Sequence, residues 1–301
     1  MLQLIKPGTN IDFLAARKYA LAGSLTLILA GLVSLFMKGG PAYGIDFAGG
    51  LQMHARVNKD VTIAEVRETA EKLDVGEVQV QSFESQPGEY LLRVSGAEEQ
   101  ELTGGVTGKL RDGLATAFGQ RGFEVLRTEL VGPRVGKELR LRAILSVLAA
   151  TLVMGVYIAF RFDARFGIGA AVALLHDVLI TVGAISIANV EVDLTIVAAL
   201  LTIVGYSVND TVIISDRIRE NMHASKRVDL AEVINRSINE TLSRTILTTG
   251  ATLLVVVALF LVGGPVIHGF AYSLIVGFIV GTYSSIFIAS PIVEWWSGKA
   301  A

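Results

Sequence analysis

The sequence contains no cysteine, and it has no large surplus of either charge: 26 Lys and Arg stand against 28 Asp and Glu, for a formal net charge of −2. The first absence excludes disulfides and cysteine-based metal or nucleophile chemistry, and it leaves the redox compartment undetermined. The second gives no sign of a nucleic-acid partner, and none is expected, so charge is informative only loop by loop. What the chain has in quantity is apolar surface. Hydrophobic residues make up 52% of its 301 residues, and the mean hydropathy is +0.56. They stand in long blocks rather than alternating face by face, the pattern of a polytopic α-helical membrane protein.

Residues 1–18 are polar and mildly basic, with Lys6, Arg17 and Lys18. The uncharged block 19–37 that follows is of spanning length and is read as the first transmembrane helix. It is too long for the apolar region of a signal peptide, and no small-x-small cleavage site follows it. Further blocks at about 143–160, 166–188, 194–214, 246–263 and 267–290 bring the expected number of spans to six. RFDAR (161–165) and the polar loop 215–244 carry Arg161, Arg165, Arg217, Arg219, Lys226, Arg227, Arg236 and Arg244, whereas NVEVD and GGPVIHG carry no Lys or Arg. The excess of positive charge on one side places both termini, 1–18 and 291–301, in the cytoplasm and residues 38–142 on the periplasmic side.

Residues 38–142 have the composition of a soluble domain. In LQMHARVN, Leu51, Met53, Ala55 and Val57 alternate with polar residues, as a half-buried strand requires. TIAEVRETAEKL follows with Thr62 and Glu65 at capping-box spacing and Ile63, Val66, Ala70 and Leu73 on one helical face. EVQVQSFE and YLLRVSG flank SQPGE, where Pro87 and Gly88 supply the dihedrals of a hairpin turn. Leu102, Val106, Leu110, Leu114 and Phe118 recur every four residues as a second helix, which Gly104 and Gly105 weaken, and FEVLRTELVG reads as a last strand. The order β-α-β-β-α-β is that of a ferredoxin-like α+β domain. It carries no nucleophile, metal or phosphate motif, so no cofactor or metal is expected. His54 is read as an ordinary surface residue. A basic amphipathic segment, PRVGKELRLR, leads back to the apolar blocks. Between the first span and the first strand, YGIDFAGG offers Gly44, Gly49 and Gly50 for a sharp turn and Asp46 as an acceptor for nearby amides. No phosphate loop is read there, since no Gly-Lys-Ser/Thr follows and no helix is expected to open. Gly132 and Pro133 form the second connection of the domain.

The candidate chemistry lies in the fourth apolar run, where GYSVNDTVIISDRIREN sets Asp210 near the end of a stretch long enough to cross a bilayer. A carboxylate in such a place is expensive and points to a functional site with a partner. Arg244, at the mouth of the next apolar run, is the best candidate. Tyr206, Thr202 or Ile203, Ala199 and Thr195 extend the face of Asp210, and Arg244, Thr248 and Ala251 or Thr252 form a similar stripe, so the two faces would meet in one polar seam. Alternatively, Arg244 is an interfacial anchor and Asp210 is shallow and wet. The third span adds His176 and Asp177, as a helix-locking pair or a proton-transfer pair. Gly277, Gly281 and Ser285, four apart, read as helix packing, and the tight core is expected among spans three to six.

GIDFAGG, LLHDV, EVDLTIVAALLTIVGYSVNDTVIISDRIREN, SINETLSRTILTTGATLL and GTYSSIFIASPIVEWW together resemble the SecF family, over nearly the whole chain. SecF proteins are the smaller membrane subunits of the SecD-SecF accessory complex of the bacterial Sec translocon, related to the RND transporter superfamily. The resemblance implies a six-span, non-enzymatic subunit of the bacterial cytoplasmic membrane that pairs with SecD and acts with SecYEG, SecA and YajC. It also implies that protons moving down their gradient help pull unfolded polypeptide outward. It assigns proton coupling to Asp210 and Arg244; Asn209, Tyr206, Thr248, His176 and Asp177 are read from their places in the spans as candidate accessory polar groups. The Gly49-Gly50 and Gly132-Pro133 connections would be the turns on which the outer domain moves. Other readings are an RND-type exporter of small molecules, an intramembrane aspartyl protease using Asp177 and Asp210 as a dyad, and a passive assembly scaffold.

Overall fold

The computed structural model describes residues 9–82, 86–95, 105–224 and 229–298. They fall into two units, one made of Tyr43–Ile144 with Glu191–Leu194, the other of Met1–Ala42, Leu145–Val190 and Thr195–Ala301.

The first unit holds a short helix α2 (Ile45–Ala48), then β1 (Gly50–Arg56), α3 (Ile63–Glu71), β2 (Glu77–Ser82), β3 (Glu89–Ser95), α4 (Thr107–Phe118) and β4 (Glu124–Val131). The strands form an antiparallel sheet in the order β2-β3-β1-β4, the ferredoxin-like arrangement expected from the sequence. Leu51, Met53 and Ala55 on β1 and Leu92 and Val94 on β3 share a core with Val66 and Ala70 on α3 and Leu110, Leu114 and Phe118 on α4. Period two on the strands therefore meets period four on the helices. The capping box is made in full: Glu65 N–H donates to Thr62 Oγ1, and Thr62 N–H donates to Glu65 Oε2 at 2.7 Å. Gly88 has φ +93, and a Cβ there would lie 2.5 Å from the Val57 carbonyl oxygen. Leu102 and Gly104 lie outside the described residues; the α-helix runs over Thr107–Phe118, after Gly105, and its own Gly113 gives room to the Leu73 side chain.

Two expectations for this unit are corrected. A helical turn does open in YGIDFAGG, because Gly44 is extended and the amides of Phe47 and Ala48 reach back to its carbonyl. His54 is half-buried rather than an ordinary surface group: it and Arg56 share Glu89, His54 Nε2 lying 2.9 Å from one carboxylate oxygen and Arg56 donating to the other.

The second unit contains the helices α1 (Arg17–Met37), α5 (Pro133–Arg161, from Leu145 on), α6 (Ala164–Ile187), α7 (Leu194–Ala224, from Thr195 on) and α8 (Leu230–Val262). The last span is α9 (Pro265–Ser284), a π-helical turn Ser285–Ala289, and α10 (Ser290–Gly298). Among the described residues, six segments are long and apolar enough to cross a membrane. The stretch read as a polar loop, 215–244, is helical on both sides of residues 225–229, since its apolar residues Ile218, Val233, Ile234, Ile238 and Leu242 keep helical spacing and are buried.

Small residues set the packing. Gly31 of α1 and Gly183 of α6 cross so closely that a Cβ on Gly31 would stand 2.6 Å from the Gly183 Cα. Gly277 and Gly281 receive Ile203 and Ser207 of α7, as their spacing suggested, and Ser285 bonds Thr211. The expected core of spans three to six is corrected at the fifth. In the third, fourth and last spans half or more of the apolar window is buried, against 17% in the fifth, where Leu254, Val255, Leu261 and Val262 face outward. The π turn stands just before Pro291, which has no N–H for the carbonyl of the preceding turn, and Ser290 Oγ donates to the Ser285 carbonyl at 2.9 Å.

Candidate functional site

Asp210 lies on the inward face of α7, 1% exposed, between Ile203, Ser207 and Ile214 of the same face. Its Oδ2 is met by the hydroxyls of Thr249 from α8 at 3.5 Å and Thr282 from α9 at 3.3 Å, and these hydroxyls are 2.9 Å from each other. Its Oδ1 is buried with no hydrogen-bond partner among the described residues, and so is Thr245 Oγ1. An unpartnered oxygen on a buried carboxyl is costly if the group is ionised.

Arg244 is exposed and makes no ion pair with Asp210 among the described residues, although it is near enough for its charge to act on the carboxyl. The helical count explains the miss. On α8 the buried line is Thr241, Thr245 and Thr249, one residue on from Arg244 and Thr248, so the stripe read from the sequence is turned about 100° from the Asp210 face. Thr248 donates to the Arg244 carbonyl of its own helix. On α7, Asn209 and Thr202 are exposed, and Tyr206 is half-buried, with its hydroxyl 3.3 Å from Thr252 Oγ1 and its ring 4.2 Å from that of Phe278.

His176 and Asp177 form a second cluster. Asp177, 0% exposed, accepts from Ser207 Oγ at 2.7 Å and Ser284 Oγ at 2.9 Å on one oxygen, and lies 3.0 Å from His176 Nδ1 on the other. His176 Nε2 is 2.9 Å from Ser24 Oγ on α1, and Tyr283, 3.0 Å from Ser24, donates to the Ala20 carbonyl. A hydrogen on His176 Nδ1 faces Asp177 and fits that contact. Asp177 and Asp210 share no hydrogen-bond partner, so the shared-proton geometry of an aspartyl dyad is not formed among the described residues.

The sequence reading missed the element that joins the clusters. In GTYSS, Thr282 reaches Asp210 and Thr249, Tyr283 reaches α1, Ser284 reaches Asp177 on α6, and Ser285 reaches Thr211 on α7. Four consecutive side chains thus bond four different helices. The available signal was a polar run inside an apolar block.

The turn residues all lie in the sheet unit. Gly44 N–H donates to the Val192 carbonyl, and Asp46 accepts from Leu194 N–H, each at 2.9 Å. Gly49 and Gly50 have φ values of 78 and 138, and Gly49 packs on the backbone of Gly132 and Pro133, so the two connections lie side by side. Arg140 caps this corner over the Tyr43 ring and donates to the Phe47 carbonyl. Metal-ligand clusters are absent among the described residues.

Comparison with known proteins gives a consistent picture. Residues 113–299 match the family described as protein export membrane protein SecD/SecF, C-terminal. The chain is 48% identical to the protein translocase subunit SecF of Magnetococcus marinus, over 97% of this chain and 94% of that one. It is 45% identical to SecF of Rhodothermus marinus, over 97% and 95%. Among solved structures it is similar to SecDF of Thermus thermophilus, a translocon-associated membrane protein, with a TM-score of 0.83 and 36% identity over 97% of this chain. A super-membrane-facing form of SecDF gives a TM-score of 0.72 at 35% identity. The chain spans 39% and 40% of the length of those two solved chains.

Proposed function

Because this chain belongs to the SecD/SecF family of protein-export membrane proteins, in its SecF branch, we propose that it uses the proton gradient, with Asp210 as the proton-carrying group, to support late stages of protein export. A multi-pass membrane protein partnered by SecD is the setting for this reading. Its finer parts are that SecYEG, SecA and YajC act alongside, that both termini face the cytoplasm, and that the sheet unit stands in the periplasm and is swung there.

The observation that carries the reading is the placement of Asp210, a carboxyl buried in an apolar span whose Oδ1 has no donor. A structural carboxylate would be expected to have its oxygens served, as those of Asp177 are. Arg244, on the outward face of the adjoining helix, is within electrostatic reach. Its movement toward or away from Asp210 would decide which charge state of the carboxyl is stable. One proton crossing 100 mV supplies about 2.3 kcal/mol, enough to bias a two-state movement.

The test is secretion of a reporter with and without a proton gradient, in cells whose only copy is Asp210→Asn at normal abundance of the complex. The gradient-dependent part is expected to disappear. Unchanged gradient-dependent secretion would leave the scaffold reading, in which Asp210 and Arg244 matter only through assembly. A solute-accumulation assay separates the exporter reading.

A further inference from the structure

Threonine hydroxyls inside helices commonly donate to the carbonyl four residues back, and Thr151, Thr181, Thr202, Thr248 and Thr252 do so here. Thr249 and Thr282 do not. Their hydroxyls turn to Asp210 Oδ2 and to each other, closing a triangle of three oxygens with edges of 2.9, 3.3 and 3.5 Å. The two hydroxyls own two hydrogens, and an ionised carboxylate adds none. One edge of the triangle would then be left without a hydrogen. A protonated Oδ2 supplies the third hydrogen, and every edge becomes a donor–acceptor pair running in one sense around the ring. The empty side of the carboxyl agrees independently, since Oδ1 is buried without a donor and tolerates this only when it carries no charge.

We infer that the structure holds Asp210 in its proton-loaded form, and that Thr249 and Thr282 are positioning residues that keep the proton on Oδ2 through a closed ring of hydrogen bonds. Loading adds one proton from the aqueous side to the carboxylate, and unloading returns it. Each threonine keeps one hydrogen throughout and only reorients. The two residues come from different helices, α8 and α9, so the ring closes only while both helices stand against α7. Unloading therefore requires one of them to withdraw, or a donor to arrive at Oδ1. This inference rests on Asp210 being the proton-carrying group.

The experiment uses the membrane-embedded complex with SecD and reads two things: infrared absorption of carboxylic-acid carbonyls, and gradient-dependent secretion. The wild type is expected to show an acid carbonyl band at neutral pH that Asp210→Asn removes. Thr249→Val and Thr282→Val, which keep shape and lose the hydroxyl, are expected to shift that band and to reduce gradient-dependent secretion about tenfold each. Thr249→Ser and Thr282→Ser are expected to restore both. No assignable Asp210 acid band, or valine variants with the wild-type band and full secretion, would overturn the inference. If Asp210→Asn leaves secretion unchanged while the band responds as described, the ring stands and the proton-coupling reading alone fails.

Discussion

Asp177 and Asp210 lie on neighbouring helices, equally hidden from solvent, and their surroundings differ in the one respect that decides what a buried carboxyl can do. Asp177 has a donor for each oxygen, from Ser207, Ser284 and the adjacent His176, and the chain continues through Ser24 to α1. Asp210 has two long contacts on one oxygen and nothing on the other. A fully served carboxyl is a fastener, because changing its charge would strand several donors at once. A half-served one changes charge once a donor reaches its empty oxygen or a neighbouring helix withdraws, with the two threonine hydroxyls only reorienting.

The largest expected effect tests the fastener. Asp177→Ala leaves His176, Ser207 and Ser284 without their acceptor, a loss of about 3 kcal/mol or more. It should lower the abundance of the complex in membranes, measured by immunoblot, whereas Asp210→Asn leaves abundance near normal. Equal loss of abundance in both would erase the distinction. Next comes the crossing beneath the His176–Ser24 contact. Gly31→Val puts a side chain where only 2.6 Å separates the missing Cβ from Gly183 and should cost about 1–3 kcal/mol, read as a lower midpoint of thermal unfolding in detergent. Ser284→Ala removes one of the donors of Asp177 and should cost about 1 kcal/mol, with gradient-dependent secretion kept.

The smallest effect sharpens the comparison with a carboxylate in water. Glu65 accepts from Thr62 N–H and Oγ1 and from Arg121, which together lower its pKa to about 2 from the ordinary 4.5. Its folded value lies below its unfolded one. The stabilisation is therefore complete above the ordinary value and is lost as pH falls from there toward about 2. Hydrogen exchange of the Ile63–Glu71 amides should accelerate over that window relative to a Glu65→Gln variant, in which the dependence flattens. Thr62→Ala should accelerate the same amides at neutral pH, by about 1 kcal/mol of lost capping.

Features whose physics is local were legible in the sequence. The capping box, the strand alternation of Leu51, Met53 and Ala55, the Gly88 turn and the length of the apolar blocks all depend on neighbours in the chain, and the structure contains them. The isolated Asp210 was also visible, because a charge in an apolar run stands out. Its partners were not. Whether a transmembrane threonine turns inward or bonds its own carbonyl depends on the rotation of its helix, and a one-residue error in that rotation exchanged Thr245 and Thr249 for Arg244 and Thr248. Likewise, of Thr282 to Ser285 only Ser285 belonged to a recognisable spacing, since consecutive residues of a helix point in different directions and these four between them reach four helices.

The π turn at Ser285–Ala289 follows that four-way junction directly. A π turn closes its hydrogen bonds over one residue more than an α turn, so it accommodates a surplus residue. Passing the surplus along the chain turns the residues it passes by about 100°, with the ladder closed before and after. The last span thus carries a built-in allowance of rotation beside the residues that grip α1, α6, α7 and α8, and it can turn its grip without unravelling.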